Sequence, residues 1–171
     1  MKTHEPCQRG QVFSSDLVVA GAIFLVLVTV VAVYSNQVAN STVLIEEDAE
    51  RDEAALTAAK ALVYSPGKPS NWEALGGING VSSIGIAKER NVIDPGKLQR
   101  LVDLNQGNYS EVKGLLGLSR FNVKVSVISL EDKGVLEEFG LEPGPDNEVS
   151  SATRFAVYEG RQVMLRTRVF R

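Results

Sequence analysis

The sequence predicts an α+β protein: a long N-terminal transmembrane helix followed by a small antiparallel sheet with short covering helices. Three observations predict it. Leu17 to Tyr34 reads LVVAGAIFLVLVTVVAVY without a single charge. Val43 to Tyr64 then runs without Pro or Gly and is rich in strong helix formers. Finally, Arg120 to Leu130 and Ser151 to Phe170 change to the two-residue alternation of half-buried strands.

The apolar run amounts to about 27 Å of helix, near the thickness of a hydrocarbon core. Its many β-branched residues are poor helix formers in water, but lipid leaves no partner for an open backbone group and enforces the helix. Lys2 and Arg9 precede the run, whereas Ser35 to Glu50 holds four carboxylates and no Lys or Arg. The positive-inside bias therefore places the N-terminus in the cytoplasm and the rest of the chain outside a lipid bilayer. The run is longer than the apolar core of a cleavable secretory signal and ends without an Ala-x-Ala site, so the anchor is retained. This divides the chain into a leader at 1–10, a transmembrane helix at 11–34, an external helical extension at 35–65 and an external α+β domain at 66–171.

Beyond the membrane, a loosening of the helix is expected at Ser35 to Thr42. Ile45, Ala49, Leu56, Ala59 and Val63 approximate an apolar stripe against the sheet, and Pro66-Gly67 stops the helix. Six acidic residues between Glu46 and Glu53 cannot lie in hydrocarbon. They form a solvated collar or, alternatively, an intersubunit or divalent-cation contact, without the spacing of a calcium loop. Trp72 either docks over the sheet or faces a partner. Ser82 to Ala87 reads as a short strand and Asn91 to Pro95 as a turn. Asp94-Pro95 then caps a helix over Gly96 to Leu104, and Tyr109 to Leu118 forms another. In Arg120 to Leu130, Phe121, Val123, Val125 and Val127 point one way while Asn122, Lys124 and Ser126 point the other. Glu131 to Asn147 is a charged excursion with one helical turn at Val135 to Phe139. A hairpin closes the chain, Ser151 to Tyr158 and Gln162 to Phe170 joined through Glu159-Gly160-Arg161. Three or four antiparallel strands result.

The start of the chain resembles the class III leader of archaeal type IV pilin-like proteins: a short charged segment, Arg9-Gly10, then Gln11 and a polar-flecked entry into the apolar helix. The remainder is similar, more loosely, to the external domains of such proteins through Ala61-Leu62-Val63, Ser65-Pro66-Gly67, Asn71-Trp72 and Ser83-Ile84-Gly85-Ile86-Ala87. The resemblance implies cleavage between Gly10 and Gln11 by a prepilin peptidase, with the anchor kept. It further implies an assembly platform and other pilin-like subunits as partners. The bacterial family's acidic residue five positions into the mature chain would fall on Ser15, and this chain has Asp16 instead. Asp16 either pairs with the new amine of Gln11 or sits near the helix start, where the dipole favours a carboxylate. Gly21, between Ala20 and Ala22, permits close approach of a neighbouring helix beside Phe24.

A chain of 171 residues with 44% hydrophobic content, one Cys, one His and a formal charge of −3 is not a disulfide-built scaffold, a multi-histidine metal site or a strongly basic nucleic-acid binder. No phosphate-loop, dinucleotide or hydrolase motif is present, and the sole histidine, His4, lies in the leader. No nucleic acid, cofactor or enzymatic activity is expected. The arginines from Arg154 to Arg171 read as a solvated strand face, or as a surface that packs on the acidic collar of a neighbouring subunit. Asn40-Ser41-Thr42 and Asn108-Tyr109-Ser110 match the N-glycosylation pattern, making Asn40 and Asn108 candidate acceptors on the external side. The expected function is that of a pilin-like structural subunit or minor component of an archaeal surface filament. The alternative is a single-pass envelope accessory or adhesion protein that does not polymerise.

Overall fold

A computed structural model describes residues 9–171, side chains at 9–14, 37–46 and 106 excepted. The chain parts into two compact units, Met1–Glu46 and Glu47–Arg171. Helix α1 spans Arg9–Tyr64 without a break, so the loosening expected at Ser35 to Thr42 does not occur. No Pro or Gly interrupts that stretch to break the helix.

The last turns of α1 belong to the second unit. Their buried face is Arg51, Ala55, Ala58, Ala59, Leu62 and Val63, which recur at three- and four-residue steps. This corrects the expected stripe: Leu56 is 41% exposed, Ala49 is exposed, and the side chain of Ile45 lies outside the described residues. Ala59 and Val63 of that stripe do lie in the core, where Ala55, Ala58 and Leu62 join them, so the buried face is turned away from Leu56 and is lined largely by alanine. Three alanines lie fully inside the core, and their small side chains let a helix backbone approach its neighbours closely. The helix stops where Pro66 follows, and three of its last carbonyls find partners, that of Ala61 accepting from the Ser65 N–H. Leu62 and Val63 accept hydrogen bonds from the N–H groups of Ile86 and Asn91 at 3.0 and 3.2 Å.

After a 3-10 turn at Trp72–Ala74 come β1 (Ala87–Glu89), β2 (Val92–Ile93), α2 (Pro95–Asp103), α3 (Tyr109–Leu115), β3 (Asn122–Ser129), β4 (Val135–Gly140), β5 (Val149–Tyr158) and β6 (Arg161–Phe170). The six strands form one sheet in the order β1-β2-β5-β6-β3-β4. Neighbours are antiparallel except β2 and β5, which are parallel. The sheet thus exceeds the three or four strands expected. The strand expected at Ser82 to Ala87 contributes only an isolated bridge at Ser83, with β1 beginning at Ala87, and β2 lies inside the turn expected at Asn91 to Pro95.

The helical turn expected at Val135 to Phe139 is strand β4. Its acidic pair suggested a solvated excursion, but Glu138 is taken up across the strands, by Lys124 Nζ at 2.7 Å and the Ser126 hydroxyl at 3.2 Å. That cross-strand satisfaction overrides local propensity. The capping reading of α2 holds: Asp94 accepts from the N–H groups of Gly96 and Lys97 at 2.9 and 3.2 Å, with Pro95 in the first turn. The closing hairpin also forms. Glu159 and Gly160 occupy the two-residue turn with φ of 50° and 80°, the left-handed pair that matches strand twist.

One sheet face carries the core. Val123, Val125, Val127, Val163, Leu165, Val169 and Phe139 are buried there together with α1, α2 and α3 residues in a single cluster. Trp72 joins it at 1% exposure and donates its indole N–H to the Gly85 carbonyl at 2.9 Å, which realises the docked reading.

Candidate functional site

The membrane anchor is the first candidate. Ser15–Asn36 has a mean hydropathy of 2.8 and buries nothing against the rest of the protein. Among the described residues it is the one helix long and apolar enough to cross a membrane. Its side chains face outward all round: Leu17 is 75% exposed and Phe24 65%. A helix apolar on every side and covered by nothing of its own chain belongs in lipid or against other helices. Its one internal hydroxyl is satisfied, Thr29 donating to the Leu25 carbonyl at 2.8 Å. The chain is a single-pass membrane-anchored protein with a small folded domain.

Within the anchor, Gly21 and Phe24 are three residues apart and share a face, while Asp16 points well away from Gly21. An added methyl at Gly21 would meet nothing within 4 Å. Gly10 and Gln11 lie inside the helical backbone that begins at Arg9. The Gln11 side chain, the Asn40 side chain and leader residues 1–8 lie outside the described residues. Asn108 is half-buried at the start of α3, and its Nδ2 donates to Glu111 Oε2 at 2.7 Å. Glycosylation there would have to take the nitrogen that makes this bond. The sequence-predicted residues are therefore spread along the anchor and over one domain loop, and do not converge on one site.

The acidic collar is pinned within its own chain. Arg51, 6% exposed, pairs with Asp48 and with Glu148 at 2.7 Å. Glu50 pairs with Arg120 at 2.9 Å and Glu47 with Arg171 at 3.5 Å. The terminal arginine thus meets the acidic collar of its own chain. Among the described residues no group of three potential metal ligands comes together.

The outer face of the sheet carries the second candidate surface, which sequence reasoning missed. Lys124 is buried between Glu138 at 2.7 Å and Glu142 at 3.2 Å, and Arg168 reaches Glu142 at 2.9 Å. Burial alone would lower the lysine pKa, but the hydrogen bonds and charges of the two carboxylates outweigh it and hold the ammonium above the ordinary lysine range. The same bond from Lys124, with help from Arg168, holds Glu142 below the usual carboxylate range. Beyond this cluster, toward the hairpin, the face turns apolar. Leu130, Phe155, Ala156 and Val157 line an open cleft of about 500 Å³ with the amides of Asn91 and Gln162. The alternation in β5 and β6 was readable, but only strand order and register bring Leu130 beside them.

Compared with protein-family models, curated proteins and solved structures, the chain matches none.

Proposed function

We propose that this chain is a pilin-like structural subunit or minor component of an archaeal surface filament, with its N-terminus in the cytoplasm and its folded domain outside. The observation that carries the reading is the anchor, apolar on every face and unburied by its own chain. Such a helix can exchange lipid for neighbouring helices without disturbing a core of its own. The Arg9-Gly10-Gln11 junction supports cleavage ahead of the anchor, which would leave the spanning helix in the mature subunit. The role is structural, with a prepilin peptidase, an assembly platform and other pilin-like subunits as partners.

The test uses protein from the native host. N-terminal sequencing of the membrane form should begin at Gln11, and sheared surface filaments should contain the same product. Intact Met1 throughout the membrane pool would overturn processing. Processed protein that stays in the membrane while filaments lack it would select the envelope accessory instead.

A further inference from the structure

In-register pairing places Phe155 beside Met164, Met164 beside Ile128 and Ile128 beside Val135, an apolar row across β5, β6, β3 and β4 on the outer face. Phe155 is 66% exposed and Val135 54%, while Met164 between them is half-buried and Ile128, at 8%, is buried. The next row toward the hairpin adds Val157 and Leu130, also exposed. Phe155, Val157 and Leu130, with Met164 beneath them, leave an exposed apolar patch of the kind that marks a contact surface. One row in the other direction stands Arg166, paired in register with Thr153 and Ser126. Lys124 and Arg168 on this face are neutralised by Glu138 and Glu142. Arg166 is exposed and, among the described residues, pairs with no carboxylate. At the hairpin end the strip is bounded by exposed Glu131, Asp132 and Glu159, which outnumber the exposed Lys133 and Arg161 of the same turns. An occupant should therefore present a carboxylate, an apolar group and a cation in that order, the first two about 7 Å apart.

The same domain carries that order on the outward side of α1. Glu47, Asp48 and Glu50 are ion-paired within the chain, which leaves Asp52 and Glu53 exposed and, among the described residues, without a cation. Leu56, 41% exposed, follows one turn on, and exposed Lys60 one turn beyond. Residues at three- and four-residue steps share a helix face about 5–6 Å apart.

We propose that a second copy of this chain lays this face of α1 on the strip, with Leu56 on the Phe155–Met164 row, Asp52 and Glu53 at Arg166, and Lys60 toward Glu131 and Glu159. Two different surfaces meet, so the contact is heterologous and can pass from copy to copy. Copies held in one bilayer meet at a high effective concentration, so a contact of modest area suffices. The contact goes beyond the filament reading, since it requires neither cleavage nor a filament.

The test is cross-linking of the full chain in native-host membranes. Two forms in a Cys7→Ser background, one with Leu56→Cys and one with Phe155→Cys, are co-expressed with different tags and treated with a short bis-maleimide. A covalent dimer carrying both tags is expected. Adding Arg166→Glu to the Phe155→Cys form should lower its yield about tenfold, and Asp52→Arg with Glu53→Arg in the other form should restore it. Equal membrane abundance and protease resistance establish that each form is folded. Dimers joining only Phe155→Cys copies, mixed dimers indifferent to Arg166→Glu, or no dimers at all would each overturn the proposal. A parallel Gly10→Lys series keeps the leader on: mixed dimers that persist there without filaments separate this contact from the filament reading.

Discussion

Thr167 shows how a single side chain can be placed by strand register against its own chemistry. It lies on the core face of β6 between Leu165 and Val169, fully buried, and its hydroxyl has no hydrogen-bond partner. An unsatisfied buried hydroxyl costs about 1–3 kcal/mol, whereas an isosteric methyl costs nothing of the kind. Thr167→Val should therefore raise stability by about 1 kcal/mol, measured as a higher midpoint in thermal or denaturant unfolding. An unchanged or lower midpoint would mean that the hydroxyl is satisfied in solution. Arg51 is a mixed case. It too is buried, and its Nη2 pairs with the exposed carboxylates of Asp48 and Glu148, while its Nε, like the Thr167 hydroxyl, has no partner.

At the scale of elements, β4 depends on how its end meets β3. Gly140 has φ of 102°, and a methyl there would run into the Val123 carbonyl, which accepts the Leu141 N–H at 3.0 Å. Neither contact can yield, because both atoms are backbone in the sheet. Gly140→Ala should cost about 2–3 kcal/mol, from a left-handed φ plus a steric clash, and the loss should appear as a lowered unfolding midpoint. Gly140 also shows why part of the fold was legible in the sequence and part was not. The anchor, the capped α2, the β3 alternation and the closing hairpin each carry a local signal: charge-free length, Asp94-Pro95, a two-residue period, Glu159-Gly160. β4 carries none, because its Glu138 is explained only by Lys124 and Ser126 from another strand and its glycine only by Val123. The same holds for the outer-face strip, whose members come from four strands. Of the candidate site, the anchor was legible from composition, and the junction at Gly10-Gln11 only through resemblance.

For the whole molecule, the question is whether the anchor merely tethers or also packs. The two uses place different demands on Gly21. Insertion depends on summed hydropathy, which leucine increases, whereas close helix approach depends on the absence of a side chain. Because a methyl at Gly21 meets nothing within 4 Å of its own chain, bulk added there cannot disturb the fold directly. Phe24 shares that face and is likewise exposed, so a neighbour seated at Gly21 would also touch its ring. Gly21→Leu should therefore leave membrane abundance unchanged and reduce recovery in sheared filaments several-fold relative to wild type expressed at the same level. Equal recovery of the two would reject a tight contact at Gly21 while leaving a looser one through Phe24. A fall in membrane abundance as well would point to defective insertion or turnover rather than packing. Wild-type protein that never enters filaments, under conditions where they form, would leave the anchor as a tether and make the folded domain alone the functional part.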